Sequence, residues 1–146
     1  MSLEHNEVDE MHWLIDIIQN IEVGLVVIDT QYNIQLWNGF MESYSNVAPN
    51  TIKGQNLFVN FPEIEQSWFE KKVNSMFNLK IRTFINWKQR PYLFKFSNHR
   101  PLSSPSEFMY QNITMTPLTS LTGKVTHISI MIYDVSEEAI QEKSEP

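Results

Sequence analysis

The sequence predicts an α+β domain in which helices cover one face of a single antiparallel sheet. Two observations favour this class. Two short apolar strands joined by a turn precede a series of helical segments. From residue 81 onward, the hydrophobic period changes to the two-residue alternation of strands. With 146 residues, the chain has the size of one domain and can bury a substantial core.

Residues 7–22 predict an N-terminal amphipathic helix, and we assign residues 1–17 to dimerisation. A stripe at three- and four-residue spacing, suited to a partner helix, contains Met11, Leu14, Ile18 and Ile21. Further residues widen this apolar surface towards the sheet: Trp13, Ile15 and Ile17. Because packing on the sheet can use only one of these faces, we expect the stripe to form a homodimer interface.

The next elements follow from apolar runs and turn residues. Residues 24–29 and 34–37 are rich in β-branched and apolar side chains and predict two strands. Asn38 is a favourable N-cap for the helix that follows. After a loop and short helical turns, residues 65–79 predict the clearest interior helix. Its apolar side comprises Trp68, Phe69, Val73, Met76 and Phe77.

Strands dominate the second half of the chain. The predicted strands cover residues 82–87, 92–97, 107–117 and 125–134. Pro91 cannot donate a backbone hydrogen bond, so we expect strand pairing to break there at an edge, a bulge or a longer hairpin. Ser136 is expected to cap a final helix.

Composition excludes several classes of protein. Hydrophobic residues make up 42% of the chain and charged residues 19%, which is typical of a folded domain. The absence of cysteine excludes disulfides, thiolate metal sites and thiol nucleophiles. The longest apolar stretches are too short to span a bilayer, and the amino end lacks a signal-peptide pattern. We therefore expect no membrane insertion within this segment and a cytoplasmic location.

Charge is unevenly distributed around a net value of −6. Residues 1–70 contain eleven acidic groups and one basic group, whereas residues 71–100 contain eight basic groups and no acidic group. Basic blocks of this size more often form a solvated face or pair with acids of the same fold than bind nucleic acid. We expect no nucleic-acid partner.

Signatures of enzymes and metal sites are missing. The four glycines do not form a phosphate-binding loop, and the sequence contains no nucleophile elbow. The four histidines do not fall at metal-ligand spacing with a neighbouring carboxylate. We expect no catalytic residues and no metal in this chain.

Four segments, in this order, resemble the PAS family of sensory domains. Residues 18–38 resemble its opening, in which a strand ends in aspartate and an asparagine after the second strand starts a helix. Residues 52–57 resemble its isoleucine-x-glycine segment, and residues 116–125 resemble the turn into its last strand. Residues 133–137 resemble the terminal aspartate-hydrophobe-serine motif that joins a PAS domain to its output helix.

The resemblance implies a PAS fold with a five-stranded antiparallel sheet over residues 18–138. Residues 139–146 would begin a linker to the protein's own C-terminal output domain. Residues 90–94 and 109–112 resemble PAS modules that precede bacterial diguanylate cyclases and sensor histidine kinases. The implied function is a two-component or related signalling module that senses a small molecule or mediates dimerisation, without catalysis by this chain.

Cofactors of the family impose requirements that this sequence does not meet. Photosensory flavin domains rely on a cysteine, and haem-binding relatives use a histidine on the long helix, where residues 65–79 have none. No cofactor is therefore expected, and haem least of all. A non-covalent flavin is left open, with Trp87, Trp68 and Asn38 as stacking and hydrogen-bonding residues.

A small-molecule ligand would lie between the long helix and the sheet. The candidate pocket walls are Phe61, Trp68, Phe69, Phe77, Phe84, Tyr92, Phe94, Tyr110, Ile128 and Ile130. Since aromatic side chains are also an efficient way to fill a core, such a set is first a core and only then a ligand site. At the exit of the last strand, the Asp134 carboxylate is expected to hydrogen-bond the backbone and relay a signal to the next helix.

Two other functions are left open. The chain could be a dimerisation module without a ligand. It could also be a small enzyme of the ketosteroid-isomerase kind that uses Asp29, Asp134 or Tyr110 in an apolar cavity.

Overall fold

A computed structural model describes residues 3–97 and 108–144, and within these residues five strands form one antiparallel sheet in the order β2-β1-β5-β4-β3. The strands are β1 (Gly24–Asp29), β2 (Ile34–Trp37), β3 (Thr83–Ile85), β4 (Gln111–Thr119) and β5 (Val125–Asp134). The helices are α1 (Leu3–Asn20), α2 (Gly39–Ser45), α3 (Pro49–Ile52), α4 (Leu57–Asn60), α5 (Gln66–Leu79) and α6 (Ser136–Ser144). The predicted α+β class and five-stranded sheet are confirmed. Across the described ranges, no helix is both long and apolar enough to cross a bilayer.

The core lies between the sheet and helix α5. Alternate residues of the two central strands point into it, and Val26, Ile28, Ile128 and Ile130 are fully buried. From the other side, α5 contributes Phe69 and its neighbours one and two turns along the helix, Val73 and Met76, all fully buried. The apolar side chains that recur at helical spacing in α5 therefore pack against those that alternate along the strands.

The buried side chain of Asn38 joins three elements. Its Oδ1 accepts hydrogen bonds from the backbone N–H groups of Leu25 at 3.0 Å and Met41 at 3.3 Å. Its Nδ2 donates to the carbonyl oxygens of Ile18 at 2.9 Å and Val23 at 2.8 Å. The predicted N-cap is confirmed, and the same amide also links the last turn of α1 to the start of β1.

Helix α1 contacts the rest of the domain near its C-terminal end. A Cβ atom at Gly39 would lie 2.1 Å from the Gln19 carbonyl oxygen, so α2 approaches α1 as closely as only glycine allows. The apolar side chains before this contact are exposed: Val8, Met11, Trp13, Leu14, Ile15 and Ile17. The expectation that Trp13, Ile15 and Ile17 face the sheet is wrong, because α1 extends away from the domain.

The chain between β3 and β4 also departs from the prediction. Strand β3 covers only Thr83–Ile85, at the edge of the sheet, so pairing ends before Pro91 as expected. Residues 92–97 do not form the predicted strand. The Phe96 N–H bonds the Phe94 carbonyl at 2.8 Å, which bends the backbone into a tight turn in place of an extended strand.

Replacing Asn38 with alanine is expected to destabilise the domain by about 3 kcal/mol, because two buried N–H groups and two carbonyls lose their partners. Urea unfolding followed by tryptophan fluorescence measures this loss. Asn60→Ala is the matched control, since its exposed amide donates to Asn56 within one helical turn; it should cost less than about 0.5 kcal/mol. Equal losses for the two variants would contradict the role given to Asn38.

Candidate signal-relay site

Half of the predicted pocket residues lie in the main core: Phe61, Phe69, Phe94, Ile128 and Ile130. Their rings contact one another and Trp37. The ring centroids of Phe61 and Phe94 are 5.0 Å apart, and Trp37 stacks on Phe61 at 5.3 Å. These aromatic side chains therefore pack on one another in the region where the sequence suggested a ligand.

Two further predicted residues, Trp68 and Phe77, are partly buried at the border of this core. The Arg90 guanidinium lies 3.7 Å from the centre of the Trp68 ring, and its Nη2 is 3.1 Å from the Glu65 carboxylate. The Trp68 indole is thus covered by a cation from the chain itself.

Phe84 and the two tyrosines lie elsewhere. The expectation that Phe84 faces the interior is wrong: its side chain is 58% exposed, because β3 alternates and directs Ile85 to the core instead. Tyr110 is buried, but in a second cluster with α6, and the Tyr92 ring contacts Phe108 at 5.1 Å beside that cluster. Tyr92 and Tyr110 are therefore not walls of the main core.

The buried residue Gln111, which the sequence analysis did not single out, connects the core to β4. Its Oε1 accepts from the N–H groups of Leu93 at 2.9 Å and Phe94 at 3.2 Å. Its Nε2 donates to the Phe94 carbonyl at 2.8 Å. A glutamine at the start of an apolar strand is the only sequence signal for this role, and it does not reveal the partners.

Helix α6 packs against the second cluster, which we call the exit cluster and which consists of Trp87, Phe108, Tyr110, Val135, Ala139 and Ile140. The Lys143 Nζ donates to the Tyr110 hydroxyl at 2.7 Å and lies 4.8 Å from the centre of its ring. Glu142 of α6 also forms an ion pair with Lys88. The helix after the last strand is therefore docked on the domain.

Asp134 lies where β5 becomes α6. Its Oδ1 accepts from the Ser136 N–H at 3.0 Å, which is the backbone contact expected of this carboxylate. The prediction that Ser136 caps α6 is wrong, because the Ala139 N–H bonds the Val135 carbonyl at 2.9 Å and the helix begins at Ser136 itself. The buried Ser136 hydroxyl instead accepts from the Tyr110 N–H at 3.0 Å. The Val135 N–H also bonds the Tyr110 carbonyl at 2.9 Å.

Buried polar side chains in the described part of the chain form hydrogen bonds within the protein. Across those residues, every buried side-chain nitrogen or oxygen has a hydrogen-bond partner, and no group of histidines and carboxylates could hold a metal ion. The three residues named for a flavin do not converge: Trp68 borders the core, Trp87 belongs to the exit cluster, and Asn38 binds backbone groups. Each of the three side chains therefore has a different place and different partners in the fold.

The carboxylate of Asp29 is unsuited to proton abstraction near neutral pH. Partial burial opposes its ionisation, but hydrogen bonds from the Asn33 and Gln31 N–H groups and the Gln35 amide, with the charge of His127, hold its pKa below the ordinary 3.8. A general base at neutral pH needs a raised pKa. This geometry argues against Asp29 as the base of an enzyme.

The sheet order, the helices on its core face and the helix that leaves from its last strand define a class of small α+β sensor modules. The profile of the PAS fold matches residues 16–135, and the chain belongs to the PAS family. PAS domains are sensory and non-catalytic modules. No curated protein sequence matches the chain at a significant level.

Solved structures of signalling proteins share this fold. A sensory box sensor histidine kinase from Vibrio cholerae is 24% identical with a TM-score of 0.61, over 91% of this chain and 98% of that one. The PAS domain of Bordetella pertussis BvgS is 14% identical with a TM-score of 0.63, over 92% and 93%. Histidine kinase ThkA, solved with the response regulator TrrA, is 20% identical with a TM-score of 0.60, over 88% of this chain and 34% of that one.

Substituting Gln111 with leucine is expected to expose the backbone between the core and β4 to solvent exchange. The N–H groups of Leu93 and Phe94 lose their buried acceptor, so their hydrogen exchange should accelerate by at least about tenfold. NMR-detected exchange measures this effect. The control Gln66→Leu removes an exposed amide from α5 and should leave both rates unchanged. Unchanged rates in the Gln111 variant would contradict the connection.

Proposed function

We propose that this chain is the sensor and relay module of a bacterial signal-transduction protein whose output domain is a histidine kinase or a diguanylate cyclase. The observation that carries the proposal is the continuous path from the core to helix α6. Similarity of fold to sensor histidine kinases supports the kinase alternative. The diguanylate cyclase alternative is supported by the sequence resemblance of residues 90–94 and 109–112.

The path begins at Phe94, whose ring contacts Trp37 and Phe61 in the core. Gln111 binds the Phe94 backbone through two hydrogen bonds. Its neighbour Tyr110 then binds α6 at both ends of the helix, through Ser136 and through Lys143. A displacement of the Phe94 segment would therefore change the contacts that hold α6.

The proposal includes a homodimer formed through α1. Among the four residues predicted for the interface, Met11 and Leu14 are exposed, whereas Ile18 and Ile21 are partly buried near the contact with α2. Exposure of six large apolar side chains on one helix is unfavourable in water and is typical of an interaction surface. A second α1 helix could cover them, which would bring the two α6 helices into one assembly.

A ligand sensor and a dimerisation module without a ligand differ in whether a small molecule binds in the core. A sensor would admit a ligand between aromatic rings that now pack on one another. A dimerisation module without a ligand is the second candidate, favoured by the mutual packing of Trp37, Phe61 and Phe94. Thermal unfolding in the presence of small-molecule mixtures separates the two, because a ligand that binds only the folded state raises Tm. The enzyme alternative is not supported at Asp29, because its lowered pKa makes the carboxylate a poor general base.

In the protein that carries the output domain, Asp134→Ala is expected to uncouple output from its signal. The Ser136 N–H loses its acceptor, so the direction in which α6 leaves β5 is no longer held. Output activity with and without signal is the measurement, and the ratio should fall towards one while Tm changes by only a few degrees. Glu138→Ala, which removes an exposed carboxylate from the same first turn, is the control. Regulation that persists in the Asp134 variant would refute the relay.

Leu14→Asp should weaken the proposed dimer, because the new carboxylate would be buried against the partner helix at a cost of several kcal/mol. Sedimentation at micromolar concentration is expected to show monomers of the variant and dimers of the native chain. Val59→Asp provides the control: Val59 is 79% exposed on α4, compared with 46% for Leu14 on α1, so both substitutions leave the monomer folded. A dimeric Leu14 variant would place the interface on another surface.

A further inference from the structure

Two segments that are distant in sequence meet at the end of the sheet where β5 begins. The end of α5 lies beside the turn between β4 and β5, where Lys80 and Lys124 line one open cleft. The Arg82 Nε lies 3.4 Å from the Thr116 hydroxyl oxygen, which joins the chain after α5 to β4. We call this end the distal surface and define it by Leu79, Lys80, Ile81, Arg82, Leu121 and Lys124.

Large apolar side chains on the distal surface protrude into water. Leu79 is 66% exposed, Ile81 49% and Leu121 108%, so Leu121 has no packing contact of note. The turn that presents Leu121 is closed by the Gly123 N–H, which bonds the Ser120 carbonyl at 2.9 Å, and Gly123 has a φ of 84° that favours glycine. A tight turn thus holds the leucine outward.

Positive charge surrounds these apolar side chains. Residues 71–97 and 108–133 contain no acidic residue, and among the described residues no carboxylate forms an ion pair with Lys80, Arg82 or Lys124. Asp29 lies at this end of the sheet, at the end of β1, where it pairs with His127 of β5. Its oxygens accept hydrogen bonds from neighbouring backbone and amide groups, and among the described residues it forms no ion pair with the three cations.

The distal surface lies at one end of the sheet, and α1 and α6 attach at the other end. Gly24, which follows α1, pairs with Ile132 near the end of β5, whereas Asp29 pairs with His127 near its start. Helix α6 follows Asp134 at the same end as Gly24. The distal surface can therefore contact another body while both connecting helices are engaged.

We propose that the distal surface binds the headgroup region of an anionic lipid bilayer. Leu79, Ile81 and Leu121 enter the headgroup layer, and Lys80, Arg82 and Lys124 lie against lipid phosphates. The three apolar side chains protrude singly from a helix end, the following residues and a turn, which suits a fluid interface that accepts each one separately. An acidic protein partner would instead pack against a continuous complementary interface, which three singly protruding side chains do not form.

Cosedimentation of the full chain with vesicles tests the proposal. We expect binding to vesicles of phosphatidylcholine mixed equally with phosphatidylserine, weak binding to phosphatidylcholine alone, and release as salt is raised. The triple variant Lys80→Gln, Arg82→Gln, Lys124→Gln should bind about a hundredfold more weakly, at the usual contribution of a basic residue near an anionic surface. The double variant Leu79→Ser, Leu121→Ser should bind at least about tenfold more weakly.

Lys53→Gln with Val59→Ser removes one exposed cation and one exposed apolar side chain from another part of the domain and should bind as the native chain does. The proposal is overturned if the native chain does not bind the anionic vesicles, or if the control variant loses as much binding as the distal variants. It is also overturned if the charge variant loses binding while the leucine variant does not, because the surface would then be attracted to the anionic headgroups by charge alone, without Leu79 and Leu121 entering the headgroup layer. Circular dichroism establishes that each variant is folded.

Discussion

The four hydrogen bonds of the Asn38 side chain determine how the remaining elements are arranged around β1. One amide bonds the last turn of α1, caps the start of α2 and bonds the backbone at the beginning of β1. An apolar side chain of the same size would bury these backbone groups without partners, which costs more than the hydrophobic gain returns. The direction in which α1 leaves the domain, and hence any interface it forms, depends on this residue together with the close contact between Gly39 and Gln19.

Gln111 plays a comparable part on the other side of the sheet. Between the backbone bonds at Pro91 and Phe96, its side chain supplies the hydrogen-bond partners of the segment that carries Phe94, which does not form a strand. Because its neighbour Tyr110 binds α6, the segment that packs in the core and the helix that leaves the domain share one short stretch of β4. Two buried amides thus connect the aromatic core to the entering and leaving helices.

The charges are separated by surface as well as by sequence. Acidic residues occupy α1 and the first half of the chain, while residues 71–97 and 108–133 carry lysine and arginine without acids. Two of the basic residues are used locally, since Lys88 pairs with Glu142 on α6 and Arg90 with Glu65. Lys80 and Lys124, by contrast, form no ion pair among the described residues, so the end of the sheet near the β4–β5 turn differs in charge from the end where α1 and α6 attach.

Local sequence determined the strands at Gly24–Asp29 and Ile34–Trp37, the cap at Asn38 and the buried face of α5, because period and capping chemistry act over a few residues. The family followed from ordered motifs. Only the tertiary structure decided that Phe84 is exposed, that residues 92–97 are not a strand and that Ser136 binds Tyr110. Each of these depends on register or on a hydrogen bond to a distant part of the chain, which periodicity does not encode: a shift of one residue moves a side chain to the opposite face of the sheet.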